Sequence, residues 1–295
     1  MELPRTSNTA LELPLPRLSE GRFASISAYT DEALFETTGV RIAFTKRHGG
    51  VSAGPYESLN LGSHVNDDLA QVLENRRILS DALGFADVPC IVPVQVHGRE
   101  VLNIENPEQA TQLLAYAERD AGALEYDAVS VECENVAAQL NFADCVPVIA
   151  VAPSGAFSVI HAGWRGVDNQ ISVRAVEGLA ASAAVKLGCS AACVLASINV
   201  YIGPHIMGEC FETSAEIHDE FVRKFGSTCS VDACHVELSR ALKVQLERAG
   251  IKPERIASLG ICTVCNNEDF FSYRGQGGVC GRHGAFACRR ALKEA

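Results

Sequence analysis

The sequence has no excess of basic residues, and its apolar residues never form a long uninterrupted run. Acidic side chains outnumber basic ones by 36 to 25, which gives a net charge of −11 and a pI near 5.2. Binding to nucleic acid or to an anionic membrane surface requires a basic face, and a membrane span requires about 20 apolar residues. We therefore expect no nucleic-acid partner and no membrane partner.

The start of the chain also lacks the features of a signal peptide. Residues 1–22 contain three prolines and no continuous apolar stretch, whereas a secretory leader has an apolar segment of about 7–15 residues. The 12 cysteines do not have the spacing of a small disulfide scaffold. These features predict a cytoplasmic protein whose thiols are reduced.

The chain is long enough to bury a sizeable core, since it has 295 residues of which 47% are hydrophobic. Its predicted strands and helices mix without strict alternation, which favours an α+β fold with a mixed sheet over a doubly wound parallel sheet. We expect residues 1–22 to form an N-terminal tail or an edge extension. Residues 23–295 are expected to form a single domain.

Residues 139–166 are the most informative stretch, with the sequence QLNFADCVPVIAVAPSGAFSVIHAGWRG. They predict two apolar strands joined by a three-residue hairpin loop at residues 153–155, where Pro and Gly suit the turn. This register puts Cys145 opposite Gly163, with His161 two residues away on the same face of the sheet. Such a diagonal is roughly 7–8 Å between backbones, so a thiol and an imidazole should meet there.

A lone cysteine in a strand is more often a buried core residue than a reactive one. Here, however, Cys145 is accompanied by Asp144, His161, Trp164 and Arg165. A hairpin that serves only as core does not require these polar and reactive side chains, so the local pattern favours a functional site.

The residues after the hairpin predict an anion-binding turn. A glycine-rich turn leads into a long Ala-rich helix that Asp168 or Asn169 would cap, and a helix N-terminus suits an anion. Arg165 beside it would add a bidentate donor for phosphate or carboxylate. Plain helix capping, which needs no arginine, is the simpler alternative.

Two earlier loops carry further candidate residues. Residues 46–55 are glycine-rich, and Arg47 and His48 in them could contact a substrate, although an ordinary solvated turn would look similar. Residues 56–68 are polar without a regular period, and long irregular segments in compact domains are often functional. His97, at a predicted strand end, could face a ligand or simply be a surface histidine.

The C-terminal third contains a cysteine pair and an aromatic cluster. Cys262 and Cys265 have the spacing of a metal-binding or redox pair, but a second pair at zinc-ribbon distance is missing. We therefore interpret them as structural cysteines. Residues 270–283, from Phe270 through Arg274 to Arg282 and His283, mix aromatic side chains, arginine and glycine, and could form a wall for a planar ligand.

Six motifs in order resemble the laccase-domain family, whose members are also called multicopper polyphenol oxidase-like proteins, multifunctional purine nucleoside phosphorylases or peptidoglycan editing factors. The resemblance covers roughly residues 38–292. The motifs are residues 47–62 (RHGGVSAGPYESLNLG), 95–98 (QVHG), 143–147 (ADCVP), 161–166 (HAGWRG), 202–204 (IGP) and 271–274 (FSYR).

The resemblance implies a mixed β-sandwich core flanked by helices and a zinc ion bound by His97, Cys145 and His161. The same three residues would be the catalytic residues. Two imidazoles and one thiolate leave a fourth position open, which is the pattern of a catalytic rather than a structural zinc. The expected cofactor is therefore zinc rather than copper.

The resemblance also implies purine nucleosides and phosphate as substrates. Phosphorolysis of adenosine, inosine, guanosine and methylthioadenosine is expected, together with deamination of adenosine. In this interpretation Arg47 and Arg165 hold phosphate. Arg47 and His48 would form one wall over the zinc, and Tyr273 and Arg274 the opposite wall, with Tyr273 or Phe271 stacked on the purine.

Three alternatives remain open at the level of the sequence. A copper polyphenol oxidase would need paired His-x-His sequences, and none occurs among the eight histidines. A cysteine hydrolase acting in peptidoglycan editing would use Cys145 as nucleophile and His161 as base. A metal-dependent interaction protein would capture a partner without turnover. One departure from the family motif is Cys280, which stands where Thr is usual and adds a thiol near the expected site.

Overall fold

The computed structural model describes residues 13–117 and 124–291. Its strands, in chain order, are β1 (Ser19–Phe23), β2 (Ile26–Thr30), β3 (Val40–Thr45), β4 (Cys90–Ile91), β5 (Val101–Ile104), β6 (Ala128–Val131), β7 (Ala137–Phe142), β8 (Val146–Val151), β9 (Phe157–Ala162), β10 (Asn199–Ile202), β11 (Ile256–Ser258) and β12 (His283–Arg289).

The helices alternate with these strands irregularly. They are α1 (Glu32–Thr38), α2 (Leu69–Ala82), α3 (Pro107–Ala117), α4 (Trp164–Asp168), α5 (Ile171–Leu187), α6 (Ala191–Leu195), α7 (Ala215–Phe225) and α8 (Leu238–Arg248). In the described parts of the chain, none of them combines the length and apolarity needed to cross a membrane.

Within the described residues the strands form two six-stranded sheets. The first has the order β1-β2-β3-β12-β7-β4 and the second the order β11-β10-β8-β9-β6-β5. Most neighbours are antiparallel, but β4 and β7, β5 and β6, and β10 and β11 pair in parallel. Both sheets are thus mixed, and the predicted α+β class is confirmed.

The two sheets pack face to face around a shared apolar core. Ile42 and Leu140 of the first sheet lie in the same cluster as Val159 and Tyr201 of the second. Residues of α5, α7 and α8 cover the outer face of the second sheet, and α2 contributes to the cover of the first. Because both faces are covered, β7, β8 and β9 are buried along their whole length.

The hairpin of β8 and β9 has the predicted register. Val146 pairs with Ala162 and Val151 with Phe157, so the same register puts Cys145 opposite Gly163. Gly155 in the connecting loop has φ +79°, a conformation that favours glycine over other residues.

The predicted N-terminal tail is an edge extension from Leu13 onward. Leu13 is buried, the carbonyl of Pro14 accepts a hydrogen bond of 2.8 Å from Asn199, and β1 pairs along its length with β2. These contacts attach the segment to the domain. Residues 1–12 of the predicted tail lie outside the described residues.

The helix after the hairpin begins later than the sequence predicts. Residues 164–168 form the separate helix α4, and the chain turns at Gln170, whose φ is +58°, before α5 begins. Asp168 does not cap α5 and instead forms an ion pair of 2.6 Å with Lys224. The prediction that Asp168 or Asn169 caps the long helix is wrong because this extra turn separates them from its first residue.

Candidate metal centre and cavity

Cys145 and His161 meet at the open end of the β8–β9 hairpin. Cys145 directly precedes β8, and His161 is the penultimate residue of β9. Gly163, opposite Cys145, leaves space between them, because a Cβ atom there would lie 3.0 Å from the Cys145 Sγ and 3.0 Å from His97 Cδ2. The hairpin therefore presents a thiol and an imidazole on one side of a small gap.

His97 reaches the same gap from another loop. It does not lie at a strand end, contrary to the prediction, because β4 ends at Ile91 and His97 lies in the irregular segment that follows, with φ +59°. The Gln95 side chain fixes this segment, since its amide donates to the Asn141 carbonyl at 2.8 Å and accepts from the Asn141 N–H at 2.9 Å. His97 is thereby tied to the end of β7.

The geometry of the three side chains suits one metal ion. The His97 Nε2 lies 3.8 Å from the Cys145 Sγ, and the rings of His97 and His161 meet edge to face with centroids 4.9 Å apart. One ligand atom from each residue lies within 4.8 Å of the other two. Two imidazoles and a thiol at this spacing match the ligand types and separations of a zinc site with an open position.

Asp127 connects the two histidines. Its Oδ1 accepts a hydrogen bond of 2.7 Å from the Nδ1 of His161. Its carboxylate also accepts from the backbone N–H groups of Val96, His97 and Gly98 at 3.1, 3.0 and 2.7 Å. Asp127 therefore leaves the Nε2 of His161 for a ligand and holds the His97 loop in place, as carboxylates behind metal-binding histidines do.

The charges of the site favour a thiolate. Burial alone would raise the pKa of Cys145, but the His161 and His97 imidazoles outweigh burial and lower that pKa below the ordinary thiol value. Burial alone would lower the pKa of His161, but the Cys145 thiolate and Asp127 raise it. The deprotonated sulfur is the form that binds a metal or acts as a nucleophile.

A cavity of about 370 Å³ opens above this cluster. Such a volume lies within the range of roughly 300–1,000 Å³ that is usual for small-molecule pockets. Apolar and cationic side chains share its wall. Its lining residues beyond the three candidate ligands are His64, Gln95, Asn141, Ala143, Asp144, Trp164, Ile206, Phe211, Leu238, Tyr273, Arg274 and Arg282.

Asp144 joins the hairpin to the aromatic segment predicted as a wall. Its carboxylate accepts hydrogen bonds of 2.7 Å each from the Thr263 hydroxyl, the Ser272 hydroxyl and the Arg274 backbone N–H. These bonds hold Tyr273 and Arg274 beside Cys145. Of the five residues predicted to bind substrate, these two line the cavity.

The other three predicted substrate residues lie outside the cavity wall. The Arg47 guanidinium packs over the Phe271 ring and donates to the carbonyls of Glu57 and Asn267 at 2.8 and 2.9 Å. His48 pairs with Asp269. The two chain segments predicted to face each other across the ligand thus meet directly, beside the cavity, and Phe271 is buried beneath Arg47.

Arg165 is also directed away from the predicted position. It is exposed, and its guanidinium stacks over the Trp164 ring at 4.4 Å. Trp164 lines the cavity and Arg165 does not.

Sequence reasoning did not identify His64 or Asp127 as site residues, and it included Arg282 only as the far end of the predicted wall of residues 270–283. Arg282 donates its backbone N–H to the Asn60 side chain at 2.8 Å, and Gly62 packs closely on its side chain. This contact unites the 56–68 loop with the C-terminal motif. The irregular sequence of that loop indicated a functional role. Its contact with Arg282, more than 200 residues away, could not be predicted from either segment alone.

Comparison with known proteins gives consistent matches over most of the chain. The family described as "Multi-copper polyphenol oxidoreductase laccase" matches residues 41–290. A purine nucleoside phosphorylase YlmD from Geobacillus stearothermophilus is 32% identical over 85% of this chain and 91% of its own length. A purine nucleoside phosphorylase from Deinococcus radiodurans is 34% identical over 81% of this chain and 85% of its own length.

Two further comparisons bear on activity and fold. A protein from an unknown prokaryotic organism, adenosine deaminase RL5, is 28% identical over 81% of this chain and 90% of its own length. The crystal structure of YlmD from Geobacillus stearothermophilus superposes with a TM-score of 0.78 at 27% identity, covering 94% of this chain and 100% of that one.

Proposed function

The chain belongs to the multi-copper polyphenol oxidoreductase laccase family, and from that premise we propose that it is a zinc-dependent purine nucleoside phosphorylase that also deaminates adenosine. The observation that carries the proposal is the convergence of His97, Cys145 and His161 at the floor of a ligand-sized cavity. Relatives named purine nucleoside phosphorylase and adenosine deaminase support the reaction classes.

Zinc fits the donor set better than copper clusters do. A multicopper oxidase needs many imidazoles to hold its cluster, and among the described residues this site offers two, together with one thiol. A zinc ion held by His97, Cys145 and His161 would supply Lewis-acid polarisation of a substrate or water oxygen. The 12 reduced thiols fit a reducing compartment, and we place the enzyme in the cytoplasm.

The protein's own residues would orient the reaction. Asp127 holds His161 with its Nε2 directed to the ligand side and keeps the His97 loop in register. Asp144 holds the backbone of Arg274 at the cavity rim. Both carboxylates are almost fully buried, so their hydrogen bonds fix the floor and the rim of the cavity before the substrate arrives, which is the preorganisation that catalysis needs.

In this proposal Arg274 and Arg282 bind phosphate in place of the two arginines predicted from the sequence. Both line the cavity, whereas Arg47 and Arg165 do not. Arg282 uses its Nη1 to bond the carbonyls of Cys280 and Gly281, which leaves the other edge of its guanidinium for an anion, and such a planar group can bind phosphate in a bidentate manner.

The remaining wall fits a purine nucleoside. Tyr273 offers an exposed ring beside the arginines, and a purine base can stack on it. Trp164, Ile206 and Phe211 add an apolar surface to the cavity, which suits the methylthio group of methylthioadenosine. Partial desolvation, together with Arg282 and Arg76, lowers the pKa of His64 to about 4, so its imidazole is neutral at pH 7 and can hydrogen-bond a ribose hydroxyl.

A cysteine hydrolase is the second candidate. The alignment of Cys145, His161 and Asp127 resembles a nucleophile, its base and the group that orients the base. The position of His97 favours the metal instead, because a nucleophilic cysteine does not need a second imidazole at 3.8 Å.

The test is incubation of the purified protein with inosine and adenosine, with and without phosphate. We expect phosphate-dependent formation of hypoxanthine and ribose 1-phosphate from inosine, and phosphate-independent formation of inosine from adenosine. Absence of both products from protein that contains stoichiometric zinc would refute the proposed activity.

A further inference from the structure

A second group of potential metal ligands lies behind the cavity wall. Cys262 and Cys265, interpreted from the sequence as a structural pair, are joined by Glu209 and Cys210 from the loop after β10. One ligand atom from each of the four residues lies within 4.8 Å of the other three. The second pair of ligands comes from a segment about 50 residues earlier in the chain, and not from another Cys-x-x-Cys sequence.

The spacing of these atoms matches a tetrahedral site. Ligands about 2.3 Å from one zinc ion, the usual zinc–sulfur distance, lie roughly 3.8 Å from each other. The Sγ atoms of Cys210 and Cys265 are 3.6 Å apart, and the Sγ of Cys265 lies 3.9 Å from the Glu209 Oε1. Four donors that all lie within 4.8 Å of one another can surround one zinc ion.

Backbone contacts hold the two segments in this arrangement. The N–H of Thr263 donates to the His205 carbonyl at 3.0 Å, and the N–H of His205 donates to the Ile261 carbonyl at 3.1 Å. The Met207 N–H points at the Cys262 Sγ at 3.5 Å. An N–H group directed at a ligating sulfur is the kind of outer contact that stabilises a metal-bound thiolate.

We propose that Glu209, Cys210, Cys262 and Cys265 bind a second, structural zinc ion. Three thiolates and a carboxylate close the coordination shell, which distinguishes a structural zinc from the open His97/Cys145/His161 site. Sulfur-rich tetrahedral ligand sets select zinc among the common divalent cations. Cys265 and Glu209 are exposed, so the ion can enter from solvent.

The thiols form a close cluster, in which the Sγ atoms of Cys210 and Cys265 are 3.6 Å apart. A bound zinc ion displaces the protons and turns the contact into coordination.

The second zinc supports the phosphate-binding wall. Arg274 donates from its guanidinium to the carbonyls of Cys210 and Glu212 at 3.1 and 3.3 Å. Thr263, between the two ligating cysteines in sequence, donates to Asp144 at 2.7 Å. Loss of the ion should therefore loosen the Arg274 side chain and raise the KM for phosphate, while the first zinc stays bound.

Native mass spectrometry of the full-length protein, expressed with zinc and purified under reducing conditions, tests this site. We expect two zinc ions per chain in the wild type, one in the Cys210→Ser/Cys265→Ser variant, and one in His97→Ala. Cys189→Ser, which removes an exposed thiol elsewhere, is the matched control and should keep both ions.

An unchanged zinc count in the Cys210→Ser/Cys265→Ser variant would overturn the second site whatever the activity of the protein. Failure of the second site is therefore separable from failure of the proposed enzyme function.

Alkylation of the wild type tests the site without relying on the folding of the variant. Cys265 and Cys189 are both exposed, yet zinc should protect only Cys265, and stripping of the ion should remove the protection. Equal alkylation of both thiols in zinc-loaded protein, or a Cys210–Cys265 disulfide under reductant, would contradict the proposal.

Discussion

The carboxylate of Asp127 accepts a hydrogen bond of 2.7 Å from the Nδ1 of His161 and, through the same oxygen, one of 3.0 Å from the backbone N–H of His97. One buried residue thus positions two of the three proposed zinc ligands, although His161 lies in β9 and His97 in the loop after β4. Asp127 directs the Nε2 of His161 towards Cys145 and keeps the ring of His97 within 4.9 Å of that of His161.

Replacement of Asp127 by Asn should weaken zinc binding at the first site by about 10–100-fold, because the ligating histidine loses its charged partner. Competition with a chelator of known affinity measures this change. Asp232→Asn is the control, since Asp232 also pairs with a histidine, His235 at 2.9 Å, but in a surface turn. Equal zinc affinity in the wild type and Asp127→Asn would show that Asp127 serves only the fold.

Gly163→Ala should abolish zinc binding at the first site while the protein remains folded. The added Cβ would press on the Cys145 Sγ and on His97, whereas the backbone of Gly163, with φ −65° and ψ 171°, is ordinary for alanine. The cost to stability should stay near 1 kcal/mol, as for other changes at a helix N-cap.

Gly178→Ala is the matched control for this variant, because no atom lies within 4 Å of an added Cβ in the middle of α5. It should keep its zinc and melt no earlier than the wild type. Full zinc occupancy in Gly163→Ala would argue that the three side chains do not share one ion.

Arg282→Lys should raise the KM for phosphate by about 10- to 150-fold. A lysine retains the charge but not the planar fork, and hydrogen bonds to charged groups contribute about 1.5–3 kcal/mol. Adenosine deamination, which consumes no phosphate, should change much less. Arg165→Lys, outside the cavity, should leave both reactions within about twofold of the wild type. Equal losses of the two activities in Arg282→Lys would point to a structural role for Arg282.

Tyr273→Ala should raise the KM for nucleosides by about 5- to 150-fold, because base–aromatic stacking contributes roughly 1–3 kcal/mol. The melting temperature should stay near that of the wild type, since 55% of Tyr273 is exposed. Phe271→Ala provides the contrast: this ring is fully buried, so its loss should cost about 3–5 kcal/mol of stability. Early melting of Tyr273→Ala with normal nucleoside binding would remove the stacking wall from the account.

The sequence was sufficient for the parts of the site that local chemistry determines. The loop at residues 153–155 has a turn sequence with one favoured geometry, and that geometry sets the register that brings Cys145 and His161 together. Likewise, the sequence predicts that Asp67 or Asp68 caps α2, and the Asp68 side chain accepts the capping hydrogen bond from the Ala70 N–H.

Residues that depend on long-range packing could not be predicted in the same way. The glycine-rich segment around Arg165 had the residues of an anion site. The turn at Gln170, however, separates α4 from α5, so the N-terminus of the long helix does not lie beside Arg165 as expected. Arg47 had the right charge, but the buried ring of Phe271 and two backbone carbonyls satisfy it. The wall that replaces them depends on contacts between the 56–68 loop and Arg282.

Phosphorolysis should require the one zinc ion held by His97, Cys145 and His161. The test is inosine cleavage by the Cys210→Ser/Cys265→Ser variant, in which only the first site would remain. Its activity is measured before chelation, after removal of zinc, and after stoichiometric zinc is returned. We expect activity to disappear with the ion and to return with it. Undiminished phosphorolysis by the zinc-free protein would show that the reaction does not need the ion.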